Sequence, residues 1–135
     1  MKTIKEIDKI ALLHIKNGKI LSAKSKGKNK YYIPGGKRES GESDKETLIR
    51  ETFEELNVRI EQESINYIAT FRAQADGHET GIIVKMTCYR AEIEGVPKPS
   101  SEIEDIKWLD SSNMDIIADV DKKIFRYLRE KGILS

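Results

Sequence analysis

Residues 36–58, GKRESGESDKETLIRETFEELNV, are the stretch whose reading decides the fold. Pro34-Gly35-Gly36 at its head breaks any regular element, and Ser40-Gly41-Glu42-Ser43 prolongs the loop. Ser43 followed by Glu46 has the form of a capping box, so a helix is predicted from Asp44 to about Leu56. Asn57 is a plausible left-handed stop, because asparagine tolerates positive φ better than most residues. On a helix advancing about 100° per residue, Glu51, Glu54 and Glu55 share one arc. Ile49, Phe53 and Leu56 are placed on the opposite side, which predicts one packed face and one acidic face.

The acidic arc has chemical meaning only in a cleft. On an open surface, like-charge repulsion along a helix costs a few tenths of a kcal/mol per pair. At an effective dielectric near 20, two carboxylates about 4 Å apart repel by roughly 4 kcal/mol, which demands a cation or a raised pKa. Carboxylate oxygens are hard ligands, so magnesium, or manganese, is the natural cation. Gly36 could add its carbonyl to the same ion, and Arg50 could hold a neighbouring carboxylate by a bidentate hydrogen bond. Zinc is a poor match, since Cys88 is alone and His14 and His78 are far apart in sequence.

Working outward, Ile10, Leu12, Ile15, Ile20 and Leu21 flank the turn Lys16-Asn17-Gly18-Lys19, which predicts a hairpin. Lysines 24, 26, 28 and 30 continue a basic stretch, read first as a solvated hairpin edge and second as a rim that attracts phosphate. Beyond the helix, Tyr67 to Ala75 and Ile82 to Ile93 predict a second hairpin, and Glu104 to Leu109 a short strand carrying Trp108. From Ser112 onward, Ile117, Val120, Ile124 and Leu128 recur at helical spacing, with Gly132 as the stop.

The 135 residues fit one domain. Lys and Arg number 24 against 23 acidic residues, a net charge of +1, so no global field draws the chain to nucleic acid or an anionic membrane. Cys88 cannot form an intrachain disulfide and reads as a small buried side chain in a strand. The longest apolar run, Ile10 to Ile15, is broken by His14 and is far shorter than the roughly 20 residues of a membrane span. No cleavable leader pattern is visible, so a cytoplasmic setting is expected.

Taken together, Gly36, Glu42, Arg50-Glu51, Glu54-Glu55 and Val58, at intervals of five, seven, two and two residues, resemble the Nudix box. With typical residue usage, a chance match somewhere in the chain has odds of about one in 10⁵. Thr52 stands where an aliphatic residue is usual, and Asn57 replaces a glycine; neither change removes a ligand. The resemblance implies a single Nudix hydrolase domain over 1–135, with its box at 36–58, built as an α/β (α+β) fold: an α/β/α sandwich around a mixed sheet. It also implies an enzyme acting on phosphoric anhydride bonds through metal-activated water, with Glu51, Glu54, Glu55 and the Gly36 carbonyl as magnesium ligands. Arg50 would orient the acids, and Glu42 would steady the loop.

Family members often recruit a further acid as base or ligand. Glu102 is the candidate here, with Glu104 and Glu79 behind it. The expected substrate is a nucleoside diphosphate linked to another group, with Tyr32, Arg72 and Gln74 as candidate contacts. Tyr31, Phe71, Tyr89, Arg90 and the loop residue His78 are further candidates. The alternative is a Nudix-fold module that senses a nucleotide without turning it over. No nucleic-acid or membrane partner is expected, and the resemblance makes a homodimer reasonable.

Overall fold

A computed structural model describes residues 5–75 and 79–135. The turn residue His78 lies outside the described residues. Strand β1 (Lys5–Leu13) is the centre of the molecule. On one side it pairs antiparallel with β4 (Gly35–Lys37), and on the other it runs parallel to β7 (Ile82–Arg90). β6 (Asn66–Gln74) closes this four-stranded sheet, antiparallel to β7. The second hairpin expected from the sequence is therefore present, and Cys88 is buried within it.

Ile10 to Leu13 are wholly buried, because each face of β1 is covered by a different layer. Ile10 and Leu12 pack toward α1 (Asp44–Leu56) with Leu48, Leu56 and Val58. Ala11 and Leu13 pack toward α2 (Asp119–Glu130) with Ile124, Phe125 and Leu128. An apolar run without alternation is what a strand between two helices requires. The result is a mixed α+β sandwich.

β2 (Ile15–Lys16) and β3 (Lys19–Ser25) form the predicted hairpin. Asn17 and Gly18 both take positive φ, 53° and 74°, as its two-residue turn demands. β9 (Ile103–Leu109) adds antiparallel to β3 in a separate three-stranded sheet, and β5 (Arg59–Ile60) pairs with β8 (Ile93–Glu94). Residues 31–33 tie these layers together. Tyr32 bridges to Ala23 of β3, and Tyr31 bridges to Ile117 just before α2.

Helix α1 starts and stops as the sequence predicts. The Ser43–Glu46 capping box is formed, and Asn57 ends the helix at φ 55°. Of the expected packing face, Leu56 is buried and Ile49 packs in part, but Phe53 does not. Leu48, Thr52 and Leu56 are fully buried, whereas Phe53 is 52% exposed. The i, i+4, i+8 stripe wins because it points at β1; Phe53 lies about 140° from Leu48 and faces away. The terminal helix also begins later than Ser112. Asp110 caps a 3₁₀ segment, Ser111–Ile116, and Ile117 is extended to reach Tyr31, so α2 starts only at Asp119.

Thr52 carries a buried hydroxyl with no hydrogen-bond partner. Thr52→Val keeps the shape and removes the desolvated group, so it is expected to raise stability by about 1–2 kcal/mol. An unmoved or lower urea midpoint would show that the hydroxyl is satisfied in solution. On the outer side of the central sheet, Lys123 of α2 donates from Nζ to the Arg72 carbonyl of β6 at 2.8 Å. Among the described residues no helix is long and apolar enough to cross a membrane.

Candidate active site

The three glutamates of α1 are graded by their distance from the buried stripe. Counting about 100° per residue from Leu48, Glu55 falls about 20° outside the stripe, Glu51 about 60° and Glu54 about 120°. Glu55 and Glu51 are both partly buried, the Glu51 side chain 17% exposed, whereas Glu54 is 49% exposed. One helix thus presents carboxylates in three environments.

Glu55 reaches the sheet edge, where Oε1 accepts the Gly35 N–H at 2.8 Å. Burial raises its pKa to about 7; the Gly35 hydrogen bond and the nearby Lys9 charge oppose the shift, while Glu51 and Glu54 add to it. Burial also raises the pKa of Glu51, against the pull of Arg50. Gly36 sits directly on Glu51: a Cβ there would lie 2.6 and 2.7 Å from its carboxylate oxygens. Glycine is required because backbone and carboxylate occupy the same small space.

Arg50 spans the loop and the helix. Its Nε and Nη2 donate to the two oxygens of Glu42 at 2.7 and 2.9 Å, a bidentate pair. Nη1 donates to Glu51 at 2.9 Å and lies 3.4 Å from Glu54, and Nη2 also donates to the Lys37 carbonyl at 3.0 Å. Glu42 further accepts the Glu39 N–H and the Thr47 hydroxyl, and its pKa is held down at about 2, chiefly by Arg50. Arg50 itself is pushed further above its already high value, first by Glu42.

A cleft of about 260 Å³ opens beside Glu55, Gly35 and Gly36. Ile7, Ala75, Val84, Met86 and Val120 give it apolar walls; Lys9, Lys28, Tyr32 and Asp121 bring polar groups. Of the candidate substrate contacts, Tyr32 lines this cleft. Arg72 instead bonds Glu6 at 2.9 Å, and Gln74 braces its own turn through Glu79 and Gly81. Glu102 and Glu104 are not among the lining residues; Glu104 pairs with Lys24 at 3.4 Å, and the Glu102 carbonyl accepts the Lys26 N–H. Phe71 packs edge-on against Tyr127, Tyr89 donates to Asp44, and buried Tyr31 donates to Asp105. Arg90 lies in β7 opposite Asn66 and is not among the lining residues.

The sequence reading missed Asp121. It is fully buried in the first turn of α2, accepts the Ile33 N–H at 2.9 Å and lines the cleft. The signal was available: Asp121 shares a face with Phe125 and Leu128, four and seven residues on, so a carboxylate interrupts the apolar stripe.

Among the described residues, no three His, Cys, Asp or Glu side chains are already gathered as a cage for a metal ion. Glu51 and Glu55 are turned instead to Arg50 and to Gly35. The donors nevertheless suit a hard divalent cation. All are oxygens, two of the acids are raised in pKa by burial, and the side-chain-free Gly36 brings its backbone against Glu51.

Comparison with known proteins agrees with this arrangement. A family model for the NUDIX domain matches residues 8–128. No curated protein sequence matches the chain significantly. Among solved structures, a Nudix hydrolase family member from Chromobacterium violaceum is 25% identical, covering 96% of this chain and 80% of that one with a TM-score of 0.73. A MutT protein from Methanosarcina mazei superposes with a TM-score of 0.78 at 18% identity, covering 98% of this chain and 99% of its own. The chain also matches 43% of a bifunctional NMN adenylyltransferase/ADP-ribose pyrophosphatase from Francisella tularensis, solved with AMP and a manganese ion. That match has a TM-score of 0.68 at 22% identity and covers 97% of this chain. With the box, the sandwich around it and the family match in agreement, the chain belongs to the Nudix family, as a hydrolase of phosphoric anhydride bonds.

Proposed function

We propose that the protein hydrolyses the diphosphate of a nucleoside diphosphate linked to another group, with magnesium as cofactor. The observation that carries this reading is the acidic face of α1, from Glu51 to Glu55, meeting Gly35 and Gly36 on the rim of a cleft with apolar walls. Apolar walls with a few polar groups suit the organic part of a nucleotide, and the acidic rim suits its metal-bound phosphates. The manganese ion and AMP in the Francisella tularensis structure support the same pairing.

Glu51, Glu54, Glu55 and the Gly36 carbonyl would hold the ion. When bound, it supplies Lewis-acid polarisation of the phosphorus and neutralises charge developing on the diphosphate. Arg50 keeps Glu51 oriented while Glu42 anchors Arg50. A carboxylate of this face that the ion leaves free, Glu54 or Glu55, would accept the proton released by the attacking water. The cleft walls orient the leaving group and limit entry of bulk water.

The test is a panel of nucleoside triphosphates, nucleotide sugars and dinucleoside polyphosphates, assayed for nucleoside monophosphate with and without magnesium. Release from at least one, lost with a chelator, is the expected result. No turnover on any at millimolar magnesium, with thermal stabilisation by the same compounds, would replace hydrolysis by nucleotide sensing.

Lys9 supplies an amine inside the cleft, where substrate oxygens are its natural partners. Lys9→Met is expected to raise KM about 10-fold or more and to leave kcat within a few-fold, the signature of lost substrate binding. An unchanged KM would remove Lys9 from the binding surface.

A further inference from the structure

The loop between Gly36 and α1 is fastened at two places, and only one of them belongs to the box. Arg50 holds the far end through Glu42 and also takes the Lys37 carbonyl beside Gly36. The second fastening is Arg38. Its Nη2 donates to Asp8 of β1 and its Nη1 to Asp44 in the first turn of α1. Asp44 in turn accepts the Tyr89 hydroxyl at 2.6 Å, so the chain of bonds ends on β7. One guanidinium thus joins the central strand, the loop and the helix start, and Tyr89 adds the neighbouring strand.

We propose that Arg38 is a positioning residue that sets the affinity of the acidic site for its divalent ion, by holding the Gly36 backbone at a fixed place against Glu51. Three observations point this way. Arg38 lies two residues from Gly36, and the β1 partner it grips, Asp8, is next to Lys9, the residue that pairs with Lys37 across β1 and β4. The space beside the Gly36 Cα is filled by the Glu51 carboxylate, with no room left for a methyl group, so the loop backbone and this acid are set against each other. The Arg38, Asp8 and Asp44 side chains are each about a third exposed, so these ion pairs add little to global stability and act on the loop itself. A guanidinium is suited to this task because its planar fork reaches two carboxylates at once, whereas a lysine reaches one.

The inference rests on the proposed metal reading, and two measurements separate them. Wild type, Arg38→Met, Arg38→Lys and Asp8→Asn are titrated with manganese by calorimetry, and amide hydrogen exchange is followed in the metal-free proteins. The expected result for Arg38→Met is a manganese Kd about 10-fold weaker, faster exchange confined to residues 36–43, and an unchanged urea midpoint. Arg38→Lys and Asp8→Asn fall between it and wild type. KM for substrate at saturating metal does not move. Wild type that takes up no manganese overturns the metal reading and this inference with it. Wild type that binds, with all three variants matching its Kd or with exchange in 36–43 unaltered, overturns the inference alone. Should Arg38→Met fail to fold, Asp8→Asn decides on the same readouts.

Discussion

Glu55→Gln is expected to lower kcat by about 10³-fold or more at saturating magnesium, while making the metal-free protein more stable at pH 8. The activity falls because a proposed metal ligand is removed, and the stability rises for a separate reason. Burial at the sheet edge raises the Glu55 carboxyl to about 7, so the folded chain binds that proton more tightly than the unfolded chain does. For a carboxylate raised in this way, stability is fully present below the unfolded value, near 4.5, and is lost as pH rises through about 7. The difference of roughly 2.5 units corresponds to about 3 kcal/mol by pH 8. Glutamine keeps an oxygen for the Gly35 N–H and carries no charge to desolvate. Chemical denaturation in chelator at pH 4.5 and pH 8 checks it: variant and wild type should be close at the lower pH and well apart at the higher. Wild type that holds its stability across that range would mean that Glu55 is solvated. Glu42→Gln should lose far less activity, since Glu42 holds Arg50 and its own loop and is not a proposed metal ligand. Equal losses in the two variants would reject that ranking.

Gly35 and Gly36 adjoin in sequence, yet their alanine variants should fail in opposite ways. Gly35 has φ +147°, and a Cβ there would come within 2.9 Å of the Ala11 Cα and closer still to the Ile10 carbonyl oxygen. Those atoms belong to the fully buried centre of β1 and cannot retreat. Gly35→Ala is expected to cost about 4 kcal/mol, read as a Tm lower by more than 10 °C. At Gly36 the obstacle is the end of the Glu51 side chain, which can swing away. Gly36→Ala should therefore melt within a few degrees of wild type and lose nearly all activity. A Gly36→Ala variant with normal turnover would show that the Gly36–Glu51 contact is dispensable.

The contrast also marks what was legible in the sequence. Local rules act over a few residues, so the cap at Ser43, the stop at Asn57 and the Asn17-Gly18 turn could all be read directly. The box placed Glu51, Glu54 and Glu55 on one side of α1, but periodicity could not say which flank of the acidic arc would meet the sheet. Periodicity alone therefore assigns Phe53 to the packed face and carries no sign of the partial burial of Glu55. The cleft was less legible still. Lys9, Tyr32 and Asp121 come from β1, a bridging segment and α2, and only tertiary packing brings them together. Arg72 and Gln74 qualify as substrate contacts by side-chain type alone; Glu6 engages the first, and the backbone of Glu79 and Gly81 the second.

The amine that α2 extends to Arg72 bears on how molecules of this protein meet one another. β6 is the last strand of its sheet, and the Ala75 N–H donates inward to the Ile82 carbonyl. Antiparallel alternation then turns the Arg72 carbonyl outward, where an incoming strand would bond. Lys123 already occupies that acceptor and places a positive charge there. The margin at β6 is thereby blunted against templated growth into fibrils by a charge placed on the edge itself.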